Sequence, residues 1–164
     1  SGVSAIVDGA FTDNTGIAQA VSAGATIITS MVNNIEDVWK LFVQELGLPS
    51  GSGGQILCPI FAKSPATAMQ DFQSTSTCLQ TDGVFVKSLC FGTVHARTVS
   101  NSWMGIEADV EIVLNIIAVS RTDKLNMLSK LPTFFRYSQE ITKSLTNLND
   151  ARVAPLLHQF FLHS

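Results

Sequence analysis

Charged residues are scarce in this chain. Asp, Glu, Lys and Arg together make up 14% of its 164 residues, and the formal net charge is −3. Hydrophobic residues make up 46%, which is too many for a disordered chain. The ten Lys and Arg residues form no cluster along the sequence, which excludes the basic surface that nucleic-acid binding needs. A chain with so few charges either buries most of its apolar residues or leaves an apolar patch for a partner.

Long hydrophobic runs are also absent from the sequence. The most apolar run spans Ile112 to Val119 and is interrupted by Asn115. A membrane-spanning helix needs about 20 apolar residues, so we expect no transmembrane segment. The sequence also lacks a lysine-rich amphipathic stretch, the feature that would predict binding to anionic lipid.

Cysteine is rare, and its number is odd. Cys58, Cys78 and Cys90 are the three cysteines, and none belongs to a C-x-x-C pair. With no recognisable signal peptide, this pattern favours a reduced intracellular protein, cytoplasmic or peripheral at membranes. We therefore expect buried or half-buried free thiols. The three histidines are scattered without zinc-ligand spacing, so no metal site is expected.

The first thirty residues have the pattern of a strand, a short helix and a second strand. Val3–Val7 and Thr26–Val32 are short β-rich runs. Between them, apolar residues from Ile17 to Ala23 have helical spacing, and Gly24 is a plausible helix stop. The sequence therefore predicts a βαβ unit with parallel strands and a right-handed crossover.

The remaining chain predicts further helices and strands in a single domain, 1–164, with no linker long enough to divide it. Helices are predicted at Ile35–Leu46, Ser64–Phe72, Thr122–Leu131, around Ser138–Leu145 and at Asp150–Leu162, and strands at Val84–Ser100 and Asp109–Ser120. We expect an α/β fold with a mostly parallel sheet flanked by helices. The last helix should bury one face, formed by Val153, Leu156, Leu157, Phe160 and Phe161.

The strongest local pattern for chemistry is the run Asp8-Gly9-Ala10, which ends the first predicted strand. Asp13-Asn14-Thr15-Gly16 then leads into a helix. Functional groups of parallel sheets collect beyond the carboxyl ends of the strands, which suits a catalytic Asp8. Asp-Gly is also a common turn pair, and Asp before a helix is often a cap. The residues alone leave the catalytic and the structural interpretation open.

The run Val7–Ala18 resembles the aspartate motif of patatin-like and cytosolic-phospholipase-like acyl hydrolases. In that family D-G-G or D-G-A ends a strand, and a D-N element often opens the following helix. The strand Thr26–Val32, a helix through Val38–Phe42 and the closing helical segments follow in a similar order. The resemblance implies that residues 1–164 form the C-terminal portion of a larger patatin-like domain, and only about the first sixteen residues carry its specific motif.

The same resemblance implies a reaction. Asp8 is then the aspartate of a Ser–Asp dyad, which takes the proton of a serine that forms an acyl-enzyme with a lipid or lysolipid ester. A carboxylate within hydrogen-bond reach of the hydroxyl is sufficient for this chemistry. Asp13 and Asn14 are implied to be structural, and no metal or organic cofactor is implied.

The sequence departs from the family at the nucleophile. In the family a G-x-S-x-G elbow and a Gly-rich oxyanion loop precede the aspartate, whereas only seven residues precede Asp8 here. Ser52, in Gly51-Ser52-Gly53, is a second-choice nucleophile, but it follows a predicted helix and lacks the elbow pattern. The Gly/Ser cluster around it is more typical of a surface loop.

Two functions therefore remain open: a lipid acyl-ester hydrolase to which this chain supplies the aspartate, or a non-catalytic assembly or partner-binding module. In either case the predicted strands Val3–Val7 or Thr26–Val32 should present an unpaired edge. Such edges pair with other chains. We expect the chain to associate with itself or with a separately encoded N-terminal half.

Overall fold

The computed structural model describes residues 16–35, 60–122, 131–147 and 150–161. Within these ranges the elements follow in the order α1 (Ile17–Ser22), β1 (Ile27–Ile35), α2 (Pro65–Thr75), β2 (Thr77–Gln80), β3 (Val86–Arg97), β4 (Glu111–Arg121), α3 (Leu131–Leu145) and α4 (Val153–Phe161). The predicted strand Val3–Val7, the predicted helix after Ile35 and nearly all of the one after Thr122 lie outside the described residues. The other predicted elements are present, but the helix predicted around Ser138–Leu145 begins seven residues earlier, at Leu131, and β2 forms where no strand was predicted.

The four described strands form one mixed sheet in the order β1-β4-β3-β2. β1 runs parallel to β4, with Ile27 opposite Val113. β3 runs antiparallel to β4 and to β2. An α/β fold is present, but the expected mostly parallel sheet is not what the described strands form, since two of their three pairings are antiparallel.

The connection between β3 and β4 explains this difference. Residues 98–110 join the two strands without a helix, through a turn in which Asn101 and Ile106 exchange backbone hydrogen bonds. A parallel pairing needs a long crossover, usually a helix, so this connection returns the chain antiparallel. β3 and β4 carry apolar residues on both of their faces, a pattern typical of parallel sheets. In this protein the two strands are antiparallel, and both faces are apolar because helices cover each of them.

The sheet is the middle of three layers. On one face, α1 and α2 pack against even-numbered residues of the central strands, with Phe72 and Leu114 in one buried cluster. On the other face, α3 and α4 pack against odd-numbered residues, with Tyr137 and Phe160 in a second cluster around Phe91. The two clusters form the core and fix the order of the layers.

Asn115, which interrupts the most apolar run, lies buried on β4 directly opposite Thr93 of β3. The Thr93 hydroxyl donates to Asn115 Oδ1 at 3.0 Å. Buried polar groups are tolerated when they are hydrogen-bonded. The pair therefore places a polar contact within an otherwise apolar strand pair at little cost.

The Cys78–Cys90 disulfide corrects the expectation of free thiols at these two positions. Cys78 of β2 and Cys90 of β3 are directly opposite each other, with their Cα atoms 4.0 Å apart and a sulfur–sulfur bond between them. Free thiols were expected because the sequence pattern did not reveal that β2 and β3 are paired. Cys58 lies outside the described residues.

The C-terminal helix α4 packs largely as predicted. Val153, Leu156 and Phe160 are buried, and Leu157 is half-buried. Phe161 is 55% exposed, so its predicted place on the buried face is wrong. The buried face of α4 includes Phe160, whose ring meets the ring of Phe91 edge-on, with the ring centroids 5.5 Å apart.

Candidate functional site

The two residues predicted to carry chemistry, Asp8 and Ser52, lie outside the described residues. The same holds for Asp13 and Asn14, which were assigned structural roles. Both assignments stay predictions.

The helix that follows the Asp8 motif is firmly anchored. Ile17 and Ala18, its first two residues, are each 1% exposed and pack into the core. Gly24, with φ +89°, ends the helix in a Schellman motif, in which Ala25 N donates to Ala20 O and Gly24 N to Val21 O. This confirms the predicted stop at Gly24. Its left-handed backbone favours glycine at this position.

The direction of α1 follows from its C-terminal contact. The Ser22 hydroxyl donates to the carbonyl of Met104 at 2.5 Å. Met104 belongs to the turn before β4, so the end of α1 lies at the amino end of β4 and of its parallel neighbour β1. A helix that connects parallel strands runs antiparallel to them, so we expect the start of α1 to lie toward the carboxyl ends of these two strands, the edge where α/β proteins place their functional groups.

At that edge of the sheet, the end of β4 is tied to the loop before β3. Thr122 N donates to Phe85 O at 2.9 Å, and the Thr122 hydroxyl donates to Val84 O at 2.6 Å. The same loop then turns its backbone N–H groups toward α3. Among the described residues, the carboxyl end of β4 is thus held by the 83–86 loop, Thr122 and one side chain of α3.

That side chain is Glu140, whose carboxylate accepts three consecutive backbone hydrogen bonds. Val84 N donates to Oε1 at 3.0 Å, and Phe85 N and Val86 N both donate to Oε2 at 2.9 Å. Hydrogen bonds to a charged acceptor are about twice as strong as neutral ones. A carboxylate engaged in this way holds the loop on the helix, and it is poorly placed to act as a general base.

Two open clefts flank Glu140. One, of about 350 Å³, is lined by Asp82, Lys143, Ser144 and Asn147 among others. The other, of about 250 Å³, has Val84 and Phe85 on one side and residues of α3 on the other. Asp82 and Ser144 share the lining of the first cleft, but the Ser144 hydroxyl donates to the carbonyl of Glu140 at 2.9 Å, within its own helix.

A third cleft, of about 470 Å³, lies at the opposite end of the sheet beside the start of α2. Lys63 there contacts the carboxylate of Asp71 and donates to the carbonyl of His95. Arg97 and Glu111 form an exposed pair 3.9 Å apart. Lys63 and Arg97, the two cations that line this cleft, thus already have partners within the protein. The Ser64 hydroxyl caps α2 by accepting from Thr67 N at 3.2 Å. The polar side chains of this cleft therefore stabilise the fold.

Within residues 16–35, 60–122, 131–147 and 150–161, no group of three or more His, Cys, Asp or Glu side chains could hold a metal ion. Within the same ranges, no helix has the length and apolarity needed to cross a membrane.

Sequence reasoning missed the Glu140 contact and the disulfide. Cys78 and Cys90 are placed symmetrically about Val84, and the Asp82-Gly83 pair just before it, between two β-rich runs, indicates a hairpin in this region. That symmetry would have placed the two cysteines opposite each other. For Glu140 no local signal exists, because its partners lie more than fifty residues away in the sequence.

Comparison of the chain with protein-family models, with curated proteins and with solved structures finds no significant match.

Proposed function

We propose that this chain contributes to a lipid acyl-ester hydrolase of the patatin-like type, with Asp8 as the aspartate of a Ser–Asp dyad. The observation that carries the proposal is the run Val7–Ala18, in which Asp-Gly-Ala precedes an Asp-Asn element and a helix. The substrate class is a lipid or lysolipid ester. The fold proposed for the whole is the C-terminal portion of a patatin-like domain.

Features of the described fold support the proposal. The predicted helix and strand after the motif are present as α1 and β1, and β1 has a parallel neighbour. α1 is buried against the core, and its end contacts the turn at the amino end of β4. A rigid element next to a catalytic loop keeps a general base within the narrow range of productive geometry. The antiparallel pairings of β3 count against a close copy of the family's sheet.

The proposed reaction has two steps. The Asp8 carboxylate takes the proton of a serine hydroxyl while the serine oxygen attacks the ester carbonyl, and Asp8 then gives this proton to the leaving alcohol as the acyl-enzyme forms. Water then attacks the acyl-enzyme while Asp8 accepts a proton from it, and Asp8 returns that proton to the serine oxygen as the fatty acid is released. Ser52 remains the second-choice nucleophile, and the family's elbow serine would come from sequence N-terminal to Asp8.

The Cys78–Cys90 disulfide bears on the compartment in which the protein works. An intracellular, cytoplasmic or peripheral membrane location was inferred from free cysteines. The Cys78–Cys90 disulfide removes that support, because stable disulfides are rare in the reducing cytosol. An oxidising compartment fits the disulfide better.

The test of the proposal is Asp8→Asn in the full-length gene product, assayed with a lysophospholipid and with a p-nitrophenyl ester. We expect kcat to fall by on the order of a thousandfold, since a positioned general base contributes 10²–10⁴. Asp13→Asn is the matched control and should keep most of the activity. Fluorophosphonate labelling with peptide mapping identifies the nucleophile, and Ser52→Ala shows whether it is Ser52. An Asp8→Asn variant with unchanged kcat would make Asp8 a turn residue.

A non-catalytic assembly or partner-binding module is the second candidate function. The observation that favours it is the exposure of two large apolar side chains on the edge strand β1, Ile27 at 58% and Met31 at 38%. Within the described sheet, β1 pairs with β4 alone. Exposed apolar residues on a strand edge are typical of surfaces that bind another chain.

A further inference from the structure

Three consecutive backbone N–H groups of the β2–β3 loop converge on one acceptor. Val84, Phe85 and Val86 donate to the Glu140 carboxylate at 3.0, 2.9 and 2.9 Å. Successive backbone N–H groups that point into one concavity form an anion-binding nest. The 84–86 loop therefore has the geometry of a site for an oxyanion, and in this structure the anion that it holds is a side chain of the same chain.

Gly83 provides the space that the bound carboxylate occupies. A Cβ atom added at this position would lie 2.4 Å from Oε2 of Glu140, closer than non-bonded atoms approach each other. Glycine is favoured where the backbone comes this close to a bound group. The loop thus has room for one carboxylate-sized group beside its three donors, and a side chain at position 83 would fill that room.

Two cations stand on the same side of α3 as Glu140. Arg136, Glu140 and Lys143 have i, i+4 and i+7 spacing, which places them along one side of the helix. All three line the open cleft of about 250 Å³, whose other wall is Val84 and Phe85. The cleft therefore leads from solvent to the donors of the loop past two positive charges.

The charge around this cleft favours an incoming anion. Among the described residues, no ion pair engages Arg136 or Lys143. Of the described residues that line the cleft, Glu140 is the only acid, since Asp82 lines the cleft on the other side of Glu140, which Lys143 also borders. A cleft lined by charges of one sign raises the local concentration of ions of the opposite sign.

Glu140 can leave the loop while α3 stays in place. Tyr137 and Ile141, on the buried side of the helix, are 2% and 7% exposed and hold it on the core. Rotation about the side-chain bonds of the half-buried Glu140 is enough to free the three donors, and clefts lie open on both sides of it. An external anion in its place regains hydrogen bonds of the same charge-assisted kind.

We propose that the 84–86 loop is a binding site for the oxyanion group of a ligand, a carboxylate or a phosphate, and that Glu140 closes this site as an internal competitor. The oxygens of the ligand replace those of Glu140 on the three N–H groups, and Arg136 and Lys143 balance the ligand's charge. The inference stands without the proposed hydrolase activity, because it uses none of the residues of that proposal.

The test opens the site by removing the internal carboxylate. Glu140→Ala, with Glu140→Ser as a second opening variant, is titrated with sodium acetate and with inorganic phosphate, against sodium chloride at equal ionic strength. We expect the backbone amide signals of residues 84–86 to shift in NMR spectra. The melting temperature should rise by about 3–5 °C when the anion is present at about ten times its Kd.

The wild-type chain and the two anions give further readouts of the same titration. The wild type should respond far less at the same anion concentrations, because Glu140 competes from within the chain at a high effective concentration. A larger response of the opened variants to acetate assigns the site to a carboxylate. A larger response to phosphate assigns it to a phosphate group.

Two variants keep the site closed and serve as controls. Glu140→Gln fills the same volume, and Gly83→Ala combined with Glu140→Ala places a Cβ where the ligand oxygen would lie. Neither should show the amide shifts or the rise in melting temperature. Equal responses in the closed and the opened variants, or no response in the opened ones, would overturn the proposal.

The cations are tested in the Glu140→Ala background. Arg136→Gln and Lys143→Gln should each raise the Kd of the anion by up to about fivefold, the effect of one exposed charge. Arg97→Gln, which removes an exposed cation at the opposite end of the sheet, should leave that Kd unchanged. Equal effects of the three changes would contradict binding beside α3.

Discussion

A Cβ atom added to Gly83 would lie 2.4 Å from Oε2 of Glu140 and 3.0 Å from the carbonyl oxygen of Val86. The carboxylate occupies the space that any other residue at position 83 would need. The contact joins the β2–β3 loop to α3 across more than fifty residues of sequence. It also holds the N–H groups of Val84, Phe85 and Val86 on one acceptor group.

The first prediction follows from this contact. Gly83→Ala should displace the Glu140 carboxylate and lower the free energy of unfolding by about 2 kcal/mol, the value of losing charge-assisted hydrogen bonds to backbone donors. Glu140→Ala should cost about as much or more, while Gln139→Ala, the exposed neighbour on α3, should change little. In chemical denaturation, Gly83→Ala should cost clearly less in the Glu140→Ala background. Additive losses would show that the two residues do not share one contact.

The second prediction compares neighbouring phenylalanines of α4. Phe160 is 5% exposed and packs edge-on against Phe91, whereas Phe161 is 55% exposed. Phe160→Ala should therefore lower the free energy of unfolding by about 3–5 kcal/mol, as for other buried aromatics. Phe161→Ala should change it by less than about 1 kcal/mol, a surface-like effect. Equal effects of the two changes would mean that α4 packs on a different face.

These examples show which parts of the fold are readable from sequence. The helical spacing of Val153, Leu156 and Phe160 and the glycine at position 24 are local signals, and both were confirmed. The direction of β3 relative to β4 is not local, because two strands covered on both faces read alike whether they run parallel or antiparallel. β2, Thr77–Gln80, buries one side chain in four, so it gave no alternating pattern to recognise.

The candidate site was readable only as a motif. Asp8 is assigned from its neighbours in sequence and a family resemblance, and its position relative to a serine depends on contacts that sequence spacing does not determine. The Glu140 carboxylate is the converse case: its contacts are seen in the structure, but nothing in the sequence near position 140 indicates backbone partners at 84–86. Chemistry that depends on long-range proximity needs the fold first.

The third prediction concerns the disulfide. Trypsin digestion of the unreduced chain should release peptide 64–87 linked to peptide 88–97, since Lys63, Lys87 and Arg97 bound the two cysteines. The linked mass should disappear on reduction. Reduction, or replacing both cysteines with serine, should cost up to about 3 kcal/mol of stability, the entropy of closing a loop of this size. Separate thiol-bearing peptides from a protein purified without reductant would contradict the pairing.

The last prediction concerns the exposed edge of the described sheet. β1 carries Ile27 and Met31 outward from the core cluster, and among the described strands its other edge has no neighbour. With a net charge of −3 there is little repulsion to keep two such edges apart. We expect light scattering after size exclusion to give a mass above 17.6 kDa that rises with concentration over a tenfold range.

The double variant Ile27→Lys with Met31→Lys should shift the chain toward monomer, because lysines on an edge strand oppose strand pairing. The control variant Trp103→Lys should not. A monomer at every concentration would mean that another part of this chain covers the edge, and the assembly function would then lose its supporting observation.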